Sequence, residues 1–229
     1  MLVNVGKLMS HTSTKGGGGV KHPFNPSLVD AWFMSGLSNA DKPGSITGVM
    51  GNEMILKNFA FTSESGFGEG NYEGALVFDG VDDYGICNNL PILNDYTVIC
   101  RREIINKDYY SIASKSTVFG KGAFIFELIQ GRTNHCYSFA ADNQINLYNS
   151  EISWQTKNSY NGSTITVGNG EDTDTLTFGI IRVGDESRRF LKGAIYYFAL
   201  YNKSLTPEEV EEEKVKLENY WEGGKNELA

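Results

Sequence analysis

From Leu28 onward, short apolar and β-branched runs alternate with clusters of Gly, Asn, Asp and Ser, as strands joined by tight turns do. The predicted strands are Leu28–Phe33, Met54–Phe59, Ala75–Phe78, Tyr84–Cys87, Thr97–Glu103, Ser111–Ser114 and Ala123–Ile129. Cys136–Ala140, Gln144–Leu147, Glu151–Gln155, Thr164–Val167, Leu176–Val183 and Leu191–Tyr201 continue the series. Alternation is visible in Phe124-Ile125-Phe126-Glu127-Leu128, as expected of a half-buried strand. The run Ala194–Leu200 is instead apolar on both sets of positions, the pattern of a strand buried on both faces. The pairs Asp79-Gly80, Asn161-Gly162 and Asn169-Gly170 suit the positive φ of hairpin turns. Strands this short at this spacing predict an all-β fold, an antiparallel two-sheet sandwich or a barrel.

The C-terminus breaks the pattern. Thr206 caps, Pro207 takes the first helical turn and Glu209 completes a capping box. Val210, Lys214, Leu217 and Trp221 fall on one stripe, which predicts a helix docked on the sandwich or a partner and ended by Gly223-Gly224. Its acids read as a solvated face. At the other end, Gly16–Gly19 cannot hold fixed backbone angles cheaply, and His22-Pro23-Phe24-Asn25-Pro26 stiffens the chain again. The organisation expected is an arm and linker over residues 1–26, a β-sandwich over 27–205, and a helix and tail over 206–229. The arm reads either as a plain tail or as a tether to a larger assembly.

Composition narrows the partners. Twenty Lys and Arg against 28 Asp and Glu leave a net charge of -8, a poor match for a phosphate backbone, so nucleic acid is not expected. No apolar stretch reaches the roughly 20 residues of a membrane helix, and Met1–Ser10 does not read as a signal peptide. Cys87, Cys100 and Cys136 are odd in number and far apart, which predicts buried thiols rather than a disulfide framework or zinc site.

Two segments carry a family resemblance. Ala75-Leu76-Val77-Phe78-Asp79-Gly80-Val81-Asp82-Asp83-Tyr84 resembles a strand pair of laminin-G-like, concanavalin A-like domains. Lys192-Gly193-Ala194-Ile195 through Leu200-Tyr201-Asn202-Lys203-Ser204-Leu205-Thr206-Pro207-Glu208-Glu209-Val210 is similar to their closing strand and helix start. Leu28–Trp32 sits where the family's first strand would begin, so the resemblance spans about residues 27–221. It implies a jelly roll of two curved antiparallel sheets with a short terminal helix, used for sugar binding or adhesion on bacterial surfaces and bacteriophage virions. Asp79, Asp82 and Asp83 keep the Asp79-Gly80 corner wet or hydrogen-bonded to backbone amides, or could bind calcium, but no EF-hand spacing occurs, and Met34-Ser35 stand where relatives often carry an acid, which argues against a family-type calcium site. No cofactor is therefore expected, with calcium the one alternative.

Three functional classes remain. Glycoside hydrolysis needs two carboxylates facing each other across the scissile bond. On this architecture they usually share a strand as Glu-x-Asp-x-x-Glu, and that pattern is absent; Glu127 and Glu151 are isolated strand acids. A sugar-binding site needs an aromatic ring to stack on a pyranose, with Asn, Asp and backbone amides to read hydroxyls. Asp142, Asn143, Asn146, Tyr148, Trp154 and Tyr160, with Asn158 nearby, are the candidate set, although a strand tryptophan such as Trp154 also reads as core. The third class is a purely structural virion assembly protein. The expectation is a non-catalytic lectin-like adhesion module that binds a surface glycan or host surface protein. It would sit in a virion, or else on a bacterial cell surface, as a homo-oligomer contacting other virion or surface proteins through its N-terminal arm. Asn161-Gly162-Ser163 and Asn202-Lys203-Ser204 match glycosylation acceptors by chance in such a setting.

Overall fold

A computed structural model describes residues 22–105, 109–116, 122–130, 133–146, 151–183 and 186–225. Most of the expected arm, residues 1–21, and the candidate site residue Tyr148 lie outside the described residues. Two antiparallel sheets of eight strands pack face to face as a jelly-roll sandwich, with a helix on the outside of the first. Numbered along the chain, the first sheet carries β1 (Leu28–Phe33), β4 (Gly66–Phe67), β5 (Leu76–Asp79), β7 (Thr97–Ile104), β12 (Ile152–Thr156), β13 (Ser159–Tyr160), β14 (Ser163–Thr164) and β18 (Lys192–Tyr201). The second carries β2 (Ser45–Thr47), β3 (Glu53–Lys57), β6 (Tyr84–Cys87), β8 (Tyr109–Lys115), β9 (Phe124–Gln130), β10 (Thr133–Ser138), β11 (Ala141–Ile145) and β15 (Leu176–Phe178). A separate hairpin of β16 (Ile181–Val183) and β17 (Glu186–Arg188) brings Ile181 against Ile125, Leu128 and Tyr137, covering part of the second sheet's outer face.

The strand β18 is the axis of the first sheet. It pairs with β7 along one side, while β5 and β1 share the other. A bulge between Ile195 and Tyr197 shifts its phase. Ile195, Phe198 and Leu200 therefore enter the core between the sheets, and Ala194, Tyr196, Tyr197, Ala199 and Tyr201 join the outer cluster. Both faces are buried, as the apolar run predicted.

The helix α1 (Pro207–Lys225) supplies the cover. Its capping box is made: the Glu209 amide donates to Thr206 Oγ1 (3.2 Å), and the Thr206 amide donates to Glu209 Oε2 (2.9 Å). Val210, Leu217 and Trp221 are buried on the outer face of β18, and Trp221 Nε1 donates to the Gly74 carbonyl (2.8 Å). The Arg101 guanidinium lies 4.3 Å from the Trp221 ring and pairs with Glu218 at 2.7 Å. One acid departs from the solvated reading. Glu213 is buried, accepting from Tyr201 (2.9 Å) and from the Asn25 amide (3.0 Å). The glycine pair also departs: Gly223 and Gly224 lie in the last turn rather than beyond it.

Elsewhere the strand limits move for local reasons. Leu176–Val183 divides into β15 and β16 at Gly179, whose φ of +75° only glycine holds without strain and whose position against the Phe78 ring leaves no room for a Cβ. Phe139 and Ala140, expected at a strand end, form the β10–β11 turn. The three cysteines are free and buried, and burial pushes the Cys87 and Cys136 thiols up to about 12.

Candidate functional site

The edge strand β11 and the turn before it define the surface where the polar candidates cluster. Phe139 and Ala140 both take positive φ, +45° and +71°, as a two-residue hairpin requires. For residues other than glycine this costs about 1–3 kcal/mol each. The loop 165–171 lies over this turn. Gly168 and Gly170 donate backbone hydrogen bonds to the Ser138 and Phe139 carbonyls at 3.1 and 2.9 Å. A Cβ on Gly168 would come within 2.3 Å of the Phe139 carbonyl oxygen, so the close approach needs glycine there. Between turn and loop lies a depression of about 480 Å³, lined by residues 139–141 and 168–171, with Asn169 and Glu171 exposed.

The candidate residues separate into three groups. Asp142 is exposed and pairs with His135 Nδ1 at 2.7 Å, and Asn146 is exposed at the end of β11. Asn143 is spent on structure: its amide oxygen accepts from the Thr166 amide (2.7 Å) and its nitrogen donates to the Thr166 carbonyl (3.0 Å), fastening the loop to the strand. The two rings leave this surface. Trp154 is 7% exposed and packs in the outer cluster, its backbone amide donating to Asn161 Oδ1 (2.8 Å). Tyr160 is 1% exposed and faces the opposite way, into the core between the sheets. Neither offers a face to a sugar. Asn158 is exposed beside Thr156.

Tyr160 leads to a site that alternation concealed. Its hydroxyl donates to Glu127 Oε1 at 2.7 Å. Glu127 also receives Arg102 Nε (2.8 Å) and Nη2 (2.9 Å), and Arg102 reaches Ser153 Oγ at 2.9 Å. Strict alternation places Glu127 on the outer side with Ile125. A bulge in the β9–β10 pairing and a φ of +49° at Glu127 turn the carboxylate inward instead. Burial, and then the Glu127 charge, push the Tyr160 phenol above its usual range, so it remains a donor. With three donors and no exposure, Glu127 cannot serve as acid or base to an external substrate.

A second buried pair joins β8 to the 171–175 loop. Lys115 Nζ meets Asp172 Oδ2 at 2.6 Å and also the Thr173 carbonyl, while Asp172 accepts from the Leu93 amide (2.6 Å). Burial pulls the Lys115 ammonium below its usual range and the Asp172 charge opposes this.

The acids of the resemblance motif form a corner. Carboxylate oxygens of Asp79, Asp82 and Asp83 lie within 4.8 Å of one another. Asp79 Oδ1 accepts from the Val81 (2.7 Å) and Asp82 (3.3 Å) amides, and Asp83 accepts from Ser65 Oγ (3.0 Å) and the Asp79 amide (3.0 Å). The corner is thus held by its own side chains as an Asx turn. Burial raises the Asp83 carboxyl to about 6. Among the described residues no helix is long and apolar enough to cross a membrane.

No protein-family profile and no curated protein matches the sequence. Solved structures do match in fold. A Trypanosoma rangeli sialidase, in complex with a difluoro-KDN sugar, aligns with a TM-score of 0.56 at 14% identity, covering 89% of this chain and 34% of its own. The binding domain of botulinum neurotoxin serotype D/C aligns at 0.53 and 13% identity, covering 80% of this chain and 50% of its own. The serotype D binding domain aligns at 0.53 and 14%, covering 86% and 52%. The chain thus spans at most about half the length of these structures, and the likeness establishes the β-sandwich fold.

Proposed function

We propose that the chain is a non-catalytic glycan-binding module of the laminin-G-like type. The observation that carries this reading is the turn-and-loop surface at the β11 edge. There strained backbone, exposed Asp142, Asn146, Asn169 and Glu171, and a shallow depression converge on one side of a rigid sandwich. Carboxylates and amides at such an edge accept from and donate to sugar hydroxyls, with Asn143 and His135 holding their positions. The β-sandwich shared with a sialidase-sugar complex supports a glycan over other ligands. Display on a virion or bacterial surface, as an oligomer attached through residues 1–26, is the setting we propose for it. The Gly16–Gly19 run and the two family-like motifs support that setting.

A glycan array probed with the full chain tests the function. Binding that falls at least tenfold in an Asp142→Ala, Asn146→Ala double variant with unchanged melting temperature supports the edge surface. No binding to any glycan, with the chain still incorporated into particles, returns the purely structural alternative. Trp154→Ala is expected to lower stability rather than to remove binding selectively, because its ring is buried.

A further inference from the structure

On the far side of the first sheet, a groove of about 460 Å³ opens where the end of β1, the edge strand β2 and the last turn of α1 meet. One wall is aromatic. The Phe33 and Tyr220 rings lie 4.5 Å apart at 35°, and both are half-buried, leaving surface for a ligand. Ser35, Ser45 and Thr47 also line the groove, and none of their hydroxyls makes a hydrogen bond among the described residues. At one end Gly224 presents the last helical turn, whose carbonyls lack partners in the helix and carry the negative end of its dipole.

Charge decides the ligand class. Among the described residues, none that lines the groove is charged, in a chain of net charge -8. Behind its floor lies a carboxylate: a Cβ on Gly48 would come within 2.3 Å of Asp30 Oδ1. Among the described residues no cation lines the groove to pair with an anion, and the helix carbonyls and the Asp30 carboxylate, which itself accepts from the Ala31, Met50 and Asn52 amides and the Asn52 side chain, disfavour one. Aromatic rings lining the same groove as unpartnered hydroxyls and a helix-end carbonyl fit a ligand ring with one apolar face and a rim of hydroxyls.

We propose that this groove is a second, separate site that binds a neutral saccharide, with one pyranose ring against Phe33 and Tyr220. Ser35, Ser45, Thr47 and the α1 carbonyls read its hydroxyls. The proposal does not depend on the β11 edge, which lies elsewhere and is acidic.

The test is titration of the full chain with neutral gluco- and manno-oligosaccharides, against sialyllactose and oligogalacturonates, followed by calorimetry and saturation-transfer NMR. A neutral oligosaccharide should bind at least tenfold more tightly than any acidic one, with saturation transferred from aromatic protons. Ser45→Ala with Thr47→Ala, on a short exposed edge, should weaken binding about tenfold without changing the melting temperature; Tyr220→Ala should abolish it. Preference for the acidic sugars, absence of neutral binding, or binding that falls with Asp142→Ala and not with these variants overturns the proposal. So does self-association lost in Tyr220→Ala without sugar binding, which assigns the groove to a second copy.

Discussion

Two regions of the sandwich are stabilised in different ways. Around β18, on the side of β1 and β5 and under α1, burial is mainly apolar and aromatic, and the two buried carboxylates there, Asp30 and Glu213, are each closed by hydrogen bonds from neighbouring amides or Tyr201. Where β7, β9, β12 and β13 meet, and where β8 meets the 171–175 loop, the same sandwich encloses charge, with Arg102–Glu127 and Lys115–Asp172 both closed off from solvent. Apolar burial needs only the right pattern and volume, whereas a buried ion pair stabilises only with every partner in place. The first region therefore tolerates partial loss, and the second fails when one partner is removed.

The largest expected effect breaks the charged region. Glu127→Ala leaves a buried guanidinium without its carboxylate and should cost about 3–5 kcal/mol. Replacing the whole unit, Arg102→Met with Glu127→Leu and Tyr160→Phe, should cost less than that single change. Denaturant unfolding of both variants decides it. A triple variant as unstable as Glu127→Ala would show that the network, rather than the orphaned charge, carries the stability.

In the apolar region Leu217→Ala should cost about 2–4 kcal/mol, set by the cavity left between α1 and β18. Unfolding should remain cooperative, because the inner core is untouched. A loss below about 1 kcal/mol would mean that the helix settles into the gap.

These regions were unequally legible in the sequence. The strand β1 and β6 limits, the double-sided burial of β18 and the capping box were readable because each rests on local pattern and local chemistry. Glu127 was not, because a bulge reverses its face and nothing in Phe126-Glu127-Leu128 announces one. Lys115 and Asp172 are 57 positions apart, and Asp172 lies in a stretch of polar turn residues. For the candidate site, the turn-rich region was found, but Trp154 and Tyr160 were separated by the faces of β12 and β13. The groove at Phe33 and Tyr220 joins residues from opposite ends of the chain, beyond the reach of any local motif.

The comparison extends to acids titrating in opposite directions. Burial raises Asp83 to about 6 from a usual 3.8, so the folded state holds that proton more tightly than the unfolded one. Its contribution is present below about pH 3.8 and lost as pH rises through about 6. Glu209 is held below its usual value by Lys203 and the Thr206 amide, so its contribution is lost as pH falls through that lowered value. Asp83→Asn should therefore flatten stability between about pH 4 and 6, leaving the acid limb that Glu209→Gln removes. Thermal melts across that range, unchanged by Asp83→Asn, would place the Asp83 carboxyl in water.

The smallest effect separates two neighbouring glycines in α1. A Cβ on Gly223 meets nothing within 4 Å, so Gly223→Ala should gain about 0.5–1 kcal/mol from helix propensity. A Cβ on Gly224 would lie 2.5 Å from Ser35 Oγ, so Gly224→Ala must displace that side chain and should gain nothing. If both gained equally, the last turn would not be seated against Ser35 and Gly36. The end wall of the groove would then be open. If only Gly223→Ala gains, the glycine pair that looked like a helix terminator in sequence is there for contact at one position and is incidental at the other.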